Sequence, residues 1–212
     1  YHWLWHGDFP MSEIDTLETL LYRRHSCRAF LQDPVPKGDI ERIVSVAGRV
    51  PSWCNAQPWQ VTITDQNATV QFREALQEHM KTNAPVPDLD FPSSYSGGHQ
   101  ERRRTCGFQL YNAVGIEKGD RVASAAQMME NFTFFGAPHV AIVSSGRDLG
   151  AYGALDCGGF VSAFTLAAEA LGIASVPQAA IASYAPLIRE HFGIAADRLI
   201  LCAISFGFLK TI

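Results

Sequence analysis

Three short stretches of this chain carry residue types that could do chemistry. The first, Arg23-Arg24-His25-Ser26-Cys27-Arg28, sets three guanidinium groups and a hydroxyl within six residues. Guanidinium forks match phosphate oxygens bidentately and a hydroxyl suits a polar ring edge, so the stretch could hold a phosphorylated heterocycle. The same cations would equally serve as a solvated helix end that complements the macrodipole. The second, PSWCNAQPW from Pro51 to Trp59, gathers two tryptophans, two prolines and two carboxamides in nine residues. It offers aromatic faces and amide edges to a flat ring, or else forms a rigid turn that buries Trp53 and Trp59. In the third, SVPQAAIA, small residues follow Pro177, so backbone N–H groups could approach a ring nitrogen unobstructed. A plain buried strand end has the same composition.

Other candidates carry less. Arg102, Arg103 and Arg104 could anchor a substrate carboxylate, but adjacent helical residues point in different directions, which favours a solvated face. Cys54 lies inside the second stretch with no motif histidine beside it and is expected to be a packed thiol. Asp156, in an apolar helix, is expected to hydrogen-bond backbone across a dimer rather than to catalyse. His2 and His6 are spaced for one helix face, yet Gly7 and Pro10 discourage a helix and no third ligand joins them, so no metal site is expected. There is no Gly-x-Gly-x-x-Gly turn and no Gly-Lys-Ser/Thr loop, which argues against a Rossmann or P-loop nucleotide site.

The elements that must position these stretches follow from periodicity. Ile14, Leu17, Leu20 and Leu21 share a helix face that ends near Arg24, and Ile40, Ile43, Val44 and Ala47 mark a second helix closed by Pro51. Trp59 to Thr64 alternates as a strand, and Thr69 to Met80 returns to helical spacing. Asn83 to Gly98, rich in proline and serine, is the one long irregular segment and a candidate lid, which extends with its following helices over about 83–131. Those helices are expected near Glu101 to Val114 and Lys118 to Asn131, followed by a strand at Val140 to Ser144. A long apolar helix, Tyr152 to Gly172, precedes a strand-like stretch that leads into Ser175 to Ile181, a helix at Pro186 to Phe192 and a last strand from Arg198 to Phe206. Helices outnumber strands without regular strand-helix-strand units, so the expected fold class is α+β.

Composition narrows the partners. The 212 residues are 47% apolar, enough for one substantial core, and 11–212 reads as a single domain after an aromatic-rich extension, 1–10, that precedes Met11. A formal net charge of -4 gives no footprint for nucleic acid or an anionic membrane surface, which leaves small molecules. The apolar helix is broken by Asp156, Gly158, Gly159 and Glu169 and is too polar to span a bilayer. It has too little polar surface to face water on any side, so an obligate dimer is expected. Five scattered cysteines without a Cys-x-x-Cys pair read as reduced thiols of a cytoplasmic protein.

Taken in order, these stretches resemble the FMN-dependent nitroreductases over about Leu17 to Gly207. RRHSCRAF, PSWCNAQPW, NFTFFGAPHVAIV, the helix with Asp156, and GIASVPQAAIASYAPLIREHFGI ending in SFG carry the resemblance. Within that family, HQERRRTCGFQLYNAVGI is similar to the branch acting on nitrobenzoates and related nitroarenes. The resemblance implies a central sheet flanked by helices in an intertwined homodimer, with FMN between the chains. It places Arg24 on the FMN phosphate, His25 and Ser26 along the ribityl and dimethylbenzene side, and Arg28 at the N1 and O2 edge. Pro51, Ser52, Trp53 and Asn55 would come from the partner chain, and Pro177, Gln178, Ala179 and Ala180 would line the ring, the last two through N–H groups facing N5 and O4. NADH or NADPH would reduce the flavin and leave before a nitroaromatic takes its place, a ping-pong cycle that needs no protein acid or base. A flavin-binding protein without efficient turnover, or a relative that dehydrogenates, dehalogenates or fragments flavin, would keep the same motifs. Relatives usually continue past SFG into a tail that brings a basic residue to the phosphate, whereas this chain stops at FLKTI, which shifts the burden to Arg24, with Arg23 and Lys210 as helpers.

Overall fold

The structure is a computed structural model that describes residues 12–211; the 1–10 extension, with His2 and His6, lies outside the described residues. Helix α1 (Glu13–Arg23) begins at a reciprocal capping box between Ser12 and Asp15, with Glu13 and Asp15 in the first turn complementing the dipole. Helix α2 (Lys37–Ala47) turns Ile43 and Ala47 inward. Strand β1 (Gln60–Ile63) leads into α3 (Gln66–Met80), which starts ahead of the expected Thr69 because the Asp65 carboxylate accepts from Ala68 N–H. Helices α4 (Gly97–Ala113) and α5 (Arg121–Met129) follow, then β2 (His139–Gly146), α6 (Gly150–Ala170), β3 (Ala174–Gln178), α7 (Ala185–Phe192) and β4 (Arg198–Gly207).

The four strands form one antiparallel sheet in the order β1-β2-β4-β3. Because side chains alternate across a strand, β2 feeds two cores at once. Val140 and Ile142 join Phe72 and Leu76 of α3 and Ile188 of α7 on one face. Ala141 and Val143 join Ile43 and Ala47 of α2 and Phe160 and Phe164 of α6 on the other. The fold is therefore α+β, with helices on both faces of the sheet. Close approach of α6 to β2 requires glycine at 153, where a Cβ would collide with the Ser145 hydroxyl.

The structure modifies the expectation at two elements. The strand-like stretch that leads into Ser175 to Ile181 is β3, which stops at Gln178, where its ladder with β4 ends at Ala203, and residues Ala179–Ser183 form a 3-10 turn that buries Ile181 and Ala182. The long apolar helix is only half enclosed: Cys157, Phe160 and Phe164 are buried, while Tyr152, Leu155, Gly158, Gly159 and Ser162 face outward. Helices α4 and α5 contribute no buried residue, so both stand away from the two cores.

Candidate functional site

After α1 the chain runs extended beside β3. Ser26 bridges Ser175 in parallel, and Cys27 N–H donates to Ser175 C=O at 3.1 Å. With a period of two, Arg24, Ser26 and Arg28 fall on one side of this segment while Cys27 is buried on the other, where desolvation raises its thiol pKa. Arg24 and Arg28 are thereby spaced about 13 Å apart along an extended chain. Arg28 donates through Nη1 to Ser26 C=O at 3.1 Å and lies 5.9 Å from the Phe135 ring. His25 is exposed, with Nδ1 3.0 Å from Arg23 C=O. Arg23 is committed to Glu169 at 3.1 Å, whereas Arg24 and Arg28 form no ion pair among the described residues. The helper role for Arg23 is thus weakened by a carboxylate already in place. Lys210 sits near Arg28, lining with it, Arg73, Thr133 and Phe135 a cavity of about 370 Å³. Arg73 donates to Thr133 C=O and Ala137 C=O, and desolvation lowers its pKa.

The turn after β3 presents a complementary edge. Ala179 and Ala180 open the 3-10 turn, so their N–H groups have no carbonyl one turn back within it. Their methyl groups leave those donors approachable. Pro177 is exposed. Gln178 is buried, and its side chain points inward: Nε2 donates to Asn131 C=O at 3.0 Å and Oε1 accepts from Ser205. Its side chain is therefore committed to the protein, and what this position offers a ligand is main chain.

The loop Pro51 to Pro58 holds unusual backbone. Cys54, Asn55 and Gln57 all sit at positive φ (50°, 56° and 47°), a region that non-glycine residues rarely adopt. Three such residues in one loop cost of order 1–3 kcal/mol each and persist only where surrounding contacts fix them. Those contacts are present. Trp53 N–H donates to Asp156 Oδ2 at 2.9 Å, Gln57 N–H to Ser52 Oγ at 2.9 Å, and Gln57 Nε2 to Asn55 Oδ1 at 3.0 Å. Arg198 donates to Pro58 C=O at 2.8 Å and to Ser144 Oγ at 2.9 Å, which ties the loop to the bulge in β2. Two expectations change here. Trp59 does stack on Phe160, with centroids 5.5 Å apart, but Trp53 is 66% exposed, so the loop does not bury both rings. Cys54 is exposed in the single chain rather than packed. Asp156 Oδ2 accepts from backbone of its own chain, because the loop folds back onto the N-terminal half of α6.

These half-sites lie apart within one chain. The loop is anchored at Asp156 and the Arg23–Arg28 segment at Glu169, two points on α6 separated by about 20 Å of helix rise. They also flank opposite edges of the sheet, β1 and β3. Between them runs the outward face of α6, with Tyr152 61% and Leu155 68% exposed.

Elsewhere, Arg102 contacts His99 at 3.1 Å and Arg103 lies over Tyr95, both on an exposed helix face, which agrees with solvated side chains. A larger cavity of about 560 Å³ lies between the starts of α2 and α3, and no residue of the Arg23–Arg28, Pro51–Pro58 or Pro177–Ala180 stretches lines it. The His139 ring beside it accepts at Nε2 from Val35 N–H, so Nδ1 carries the proton donated to Thr64 C=O. That ring is fully satisfied. No group of three or more His, Cys, Asp or Glu side chains suited to a metal occurs among the described residues, and none of their helices is long and apolar enough to cross a membrane. Two features had no signal in the sequence: the buried Asp88 cluster, in a proline-rich segment that reads as plain loop, and the Arg198 staple.

The chain is 36% identical over 195 residues to the nitroreductase NfnB of Mycolicibacterium smegmatis, an alignment covering 90% of this chain and 82% of that one. It is 28% identical over 198 residues to a 4-nitrobenzoate reductase of Pseudomonas putida, covering 92% and 86%. It superimposes with a TM-score of 0.89, at 33% identity and covering 94% and 90%, on the crystal structure of the FMN-dependent nitroreductase NfnB from Mycobacterium smegmatis in complex with NADPH. With the nitroreductase family model matching residues 21–208, the chain belongs to the nitroreductase family.

Proposed function

We propose that the chain is an FMN-dependent NAD(P)H oxidoreductase that reduces nitroaromatic compounds, working as a homodimer in which each flavin site draws on both chains. The observation that carries this reading is the placement of the two half-sites at opposite ends of α6. If two α6 helices pair antiparallel across a twofold axis near the exposed Ser162, the Asp156 end of one meets the Glu169 end of the other. Each Arg24–Arg28 segment then receives Pro51, Ser52, Trp53 and Asn55 from its partner. The exposed Trp53 and Leu155 gain cover in the same step.

The residues present fit a flavin phosphate. Arg24, without a carboxylate partner among the described residues, would take the phosphate; His25 and Ser26 would follow the ribityl chain; Arg28 would stand at the pyrimidine edge. Ala179 and Ala180 would offer main-chain donors to the other ring edge, with Pro177 and the Gln178 backbone beside them. Bound FMN supplies the redox chemistry, accepting hydride from NADH or NADPH and passing it to the nitro group. For the first step the balance is nitroarene plus NAD(P)H plus a proton, giving nitrosoarene, NAD(P)+ and water. Arg28 would stabilise the negative charge that reduction places on the ring edge. No side chain in these half-sites is needed as a general acid, since solvent can supply the proton. Residues 83–131 would form the lid of a single flavin-binding domain spanning 11–212. The free thiols suit a cytoplasmic setting.

A hybrid dimer tests the shared site. One chain carries Arg28→Ala and the other Trp53→Ala with Asn55→Ala, and differently tagged chains are co-purified. Because each site takes one half from each chain, the hybrid contains one doubly damaged site and one intact site. It should therefore reduce nitroarenes well above the rate of either parent homodimer. A hybrid as inactive as both parents would refute sites built from two chains.

A further inference from the structure

The excursion between α3 and β2 is tied to the molecule at two roots, and both roots meet the same turn. At the outgoing root, Val86 N–H donates to Ser183 C=O at 2.7 Å, and Val86 bridges Tyr184. Two residues on, the Asp88 carboxylate is only 7% exposed. Its Oδ2 accepts from Arg189 and from Ile200 N–H at 2.8 Å, and its Oδ1 faces Arg147 at 3.4 Å. At the returning root, Gln178 Nε2 donates to Asn131 C=O at 3.0 Å and Oδ1 at 3.2 Å. Gln178 and Ser183 bracket the turn that carries Ala179 and Ala180. Between the roots, α4 and α5 bury nothing, and Leu89, Phe91, Tyr95 and Phe108 are exposed.

We propose that Asp88 is a positioning residue for acceptor selection: it fixes the outgoing root of the 89–130 excursion against α7 and β4, beside the Val86–Ser183 contact, while the Gln178–Asn131 contact fixes the returning root, so that the two roots are held at the two ends of the 178–183 turn. The height of the lid over the turn is then set by the turn itself. The proposal rests on the flavin reading only for what lies against Ala179 and Ala180. The argument is one of local stability. A segment with few buried contacts opens at a free-energy cost set by its anchors, so weakening an anchor raises the open population without unfolding the cores. Asp88 is the strongest such anchor, because a buried carboxylate bound to a mostly buried guanidinium is costly to neutralise. Arg147, half-exposed and farther away, adds little.

The test uses the FMN-loaded protein and the variants Asp88→Asn, Asn131→Ala and Arg147→Gln. Asp88→Asn is expected to speed proteolytic cleavage within 89–130 by about tenfold. It should also shift the ratio of kcat/KM between a fused-ring nitroarene and nitrobenzene toward the larger acceptor by about fivefold, with FMN content at the parent level. Asn131→Ala should move both readouts in the same direction and by less, and Arg147→Gln should leave both alone. Faster cleavage of Asp88→Asn, together with no nitroarene turnover by the parent protein, would support the pinned lid while sinking the reaction assigned above. If Asp88→Asn does not fold, Asn131→Ala decides, its faster cleavage supporting the proposal and parent-like cleavage overturning it. Folded variants that both match the parent in cleavage and in acceptor ratio would overturn the role of Asp88.

Discussion

The backbone N–H of Trp53 donates to the carboxylate of Asp156 at 2.9 Å, joining the loop before β1 to the N-terminal half of α6. Three residues of that loop are held at positive φ, so the bond helps fix a backbone that would otherwise relax. Asp156→Ala should free the loop and cost about 1–2 kcal/mol, the range for a partly exposed hydrogen bond to a charged group. The loss should appear as a lower melting temperature and as weaker FMN binding in a fluorescence titration. A variant that matched the parent in both would show that the loop holds its shape without Asp156.

Arg24 and Arg28 stand at the two ends of one extended segment and should fail differently. Arg24→Ala is expected to weaken FMN by roughly tenfold or more while barely altering riboflavin, which lacks the phosphate that Arg24 would meet. Isothermal titration of both ligands isolates the phosphate contribution. Equal losses for the two ligands would move Arg24 away from the phosphate.

Arg28→Ala should instead leave FMN bound and lower the midpoint potential of the flavin, since the cation favours the reduced, negatively charged ring. Loss of that interaction should cost about 1.5–3 kcal/mol and slow reduction by NAD(P)H accordingly. Spectroelectrochemistry and stopped-flow absorbance read the two effects. An unchanged potential would take Arg28 away from the ring edge.

Much of this site was legible because its chemistry is local in sequence. Arg24, Ser26 and Arg28 owe their common side to the period of an extended chain, and the loop from Pro51 to Pro58 is fenced by its own prolines. What could not be read depends on contacts distant in the chain. The end of β3 at Gln178 is decided by where β4 stops pairing, and the inward turn of the Gln178 side chain by Asn131 and Ser205. The partner of Asp156 depended on a loop 103 residues away, and its sequence environment, an apolar helix, suggested a different one. Asp88 gave no sign of burial because its three partners, Arg147, Arg189 and Ile200, all lie beyond the excursion it anchors.

Cys157 makes stability depend on alkaline pH. It lies 1% exposed on α6, and burial pushes its thiol pKa up to about 11 from an ordinary 9.0. Between those values the unfolded chain has lost a proton that the folded chain keeps, so stability falls as pH rises. This contribution is complete below pH 9 and amounts to a loss of about 2 kcal/mol by pH 11. Melting temperature should decline across that window, and Cys157→Ala should decline less steeply from its own lower starting point. Parallel slopes would place the titration on other groups.

Flavin absorbance under anaerobic conditions tests the central claim most directly. Protein loaded with FMN is mixed with NADPH or NADH alone, freed of nicotinamide, and then mixed with a nitroarene such as 4-nitrobenzoate. The account predicts that the oxidised flavin band bleaches with the donor alone and returns with the acceptor alone, since each reactant meets the flavin separately. Flavin that stays oxidised with both donors, or reduced flavin that a nitroarene cannot reoxidise, would contradict it.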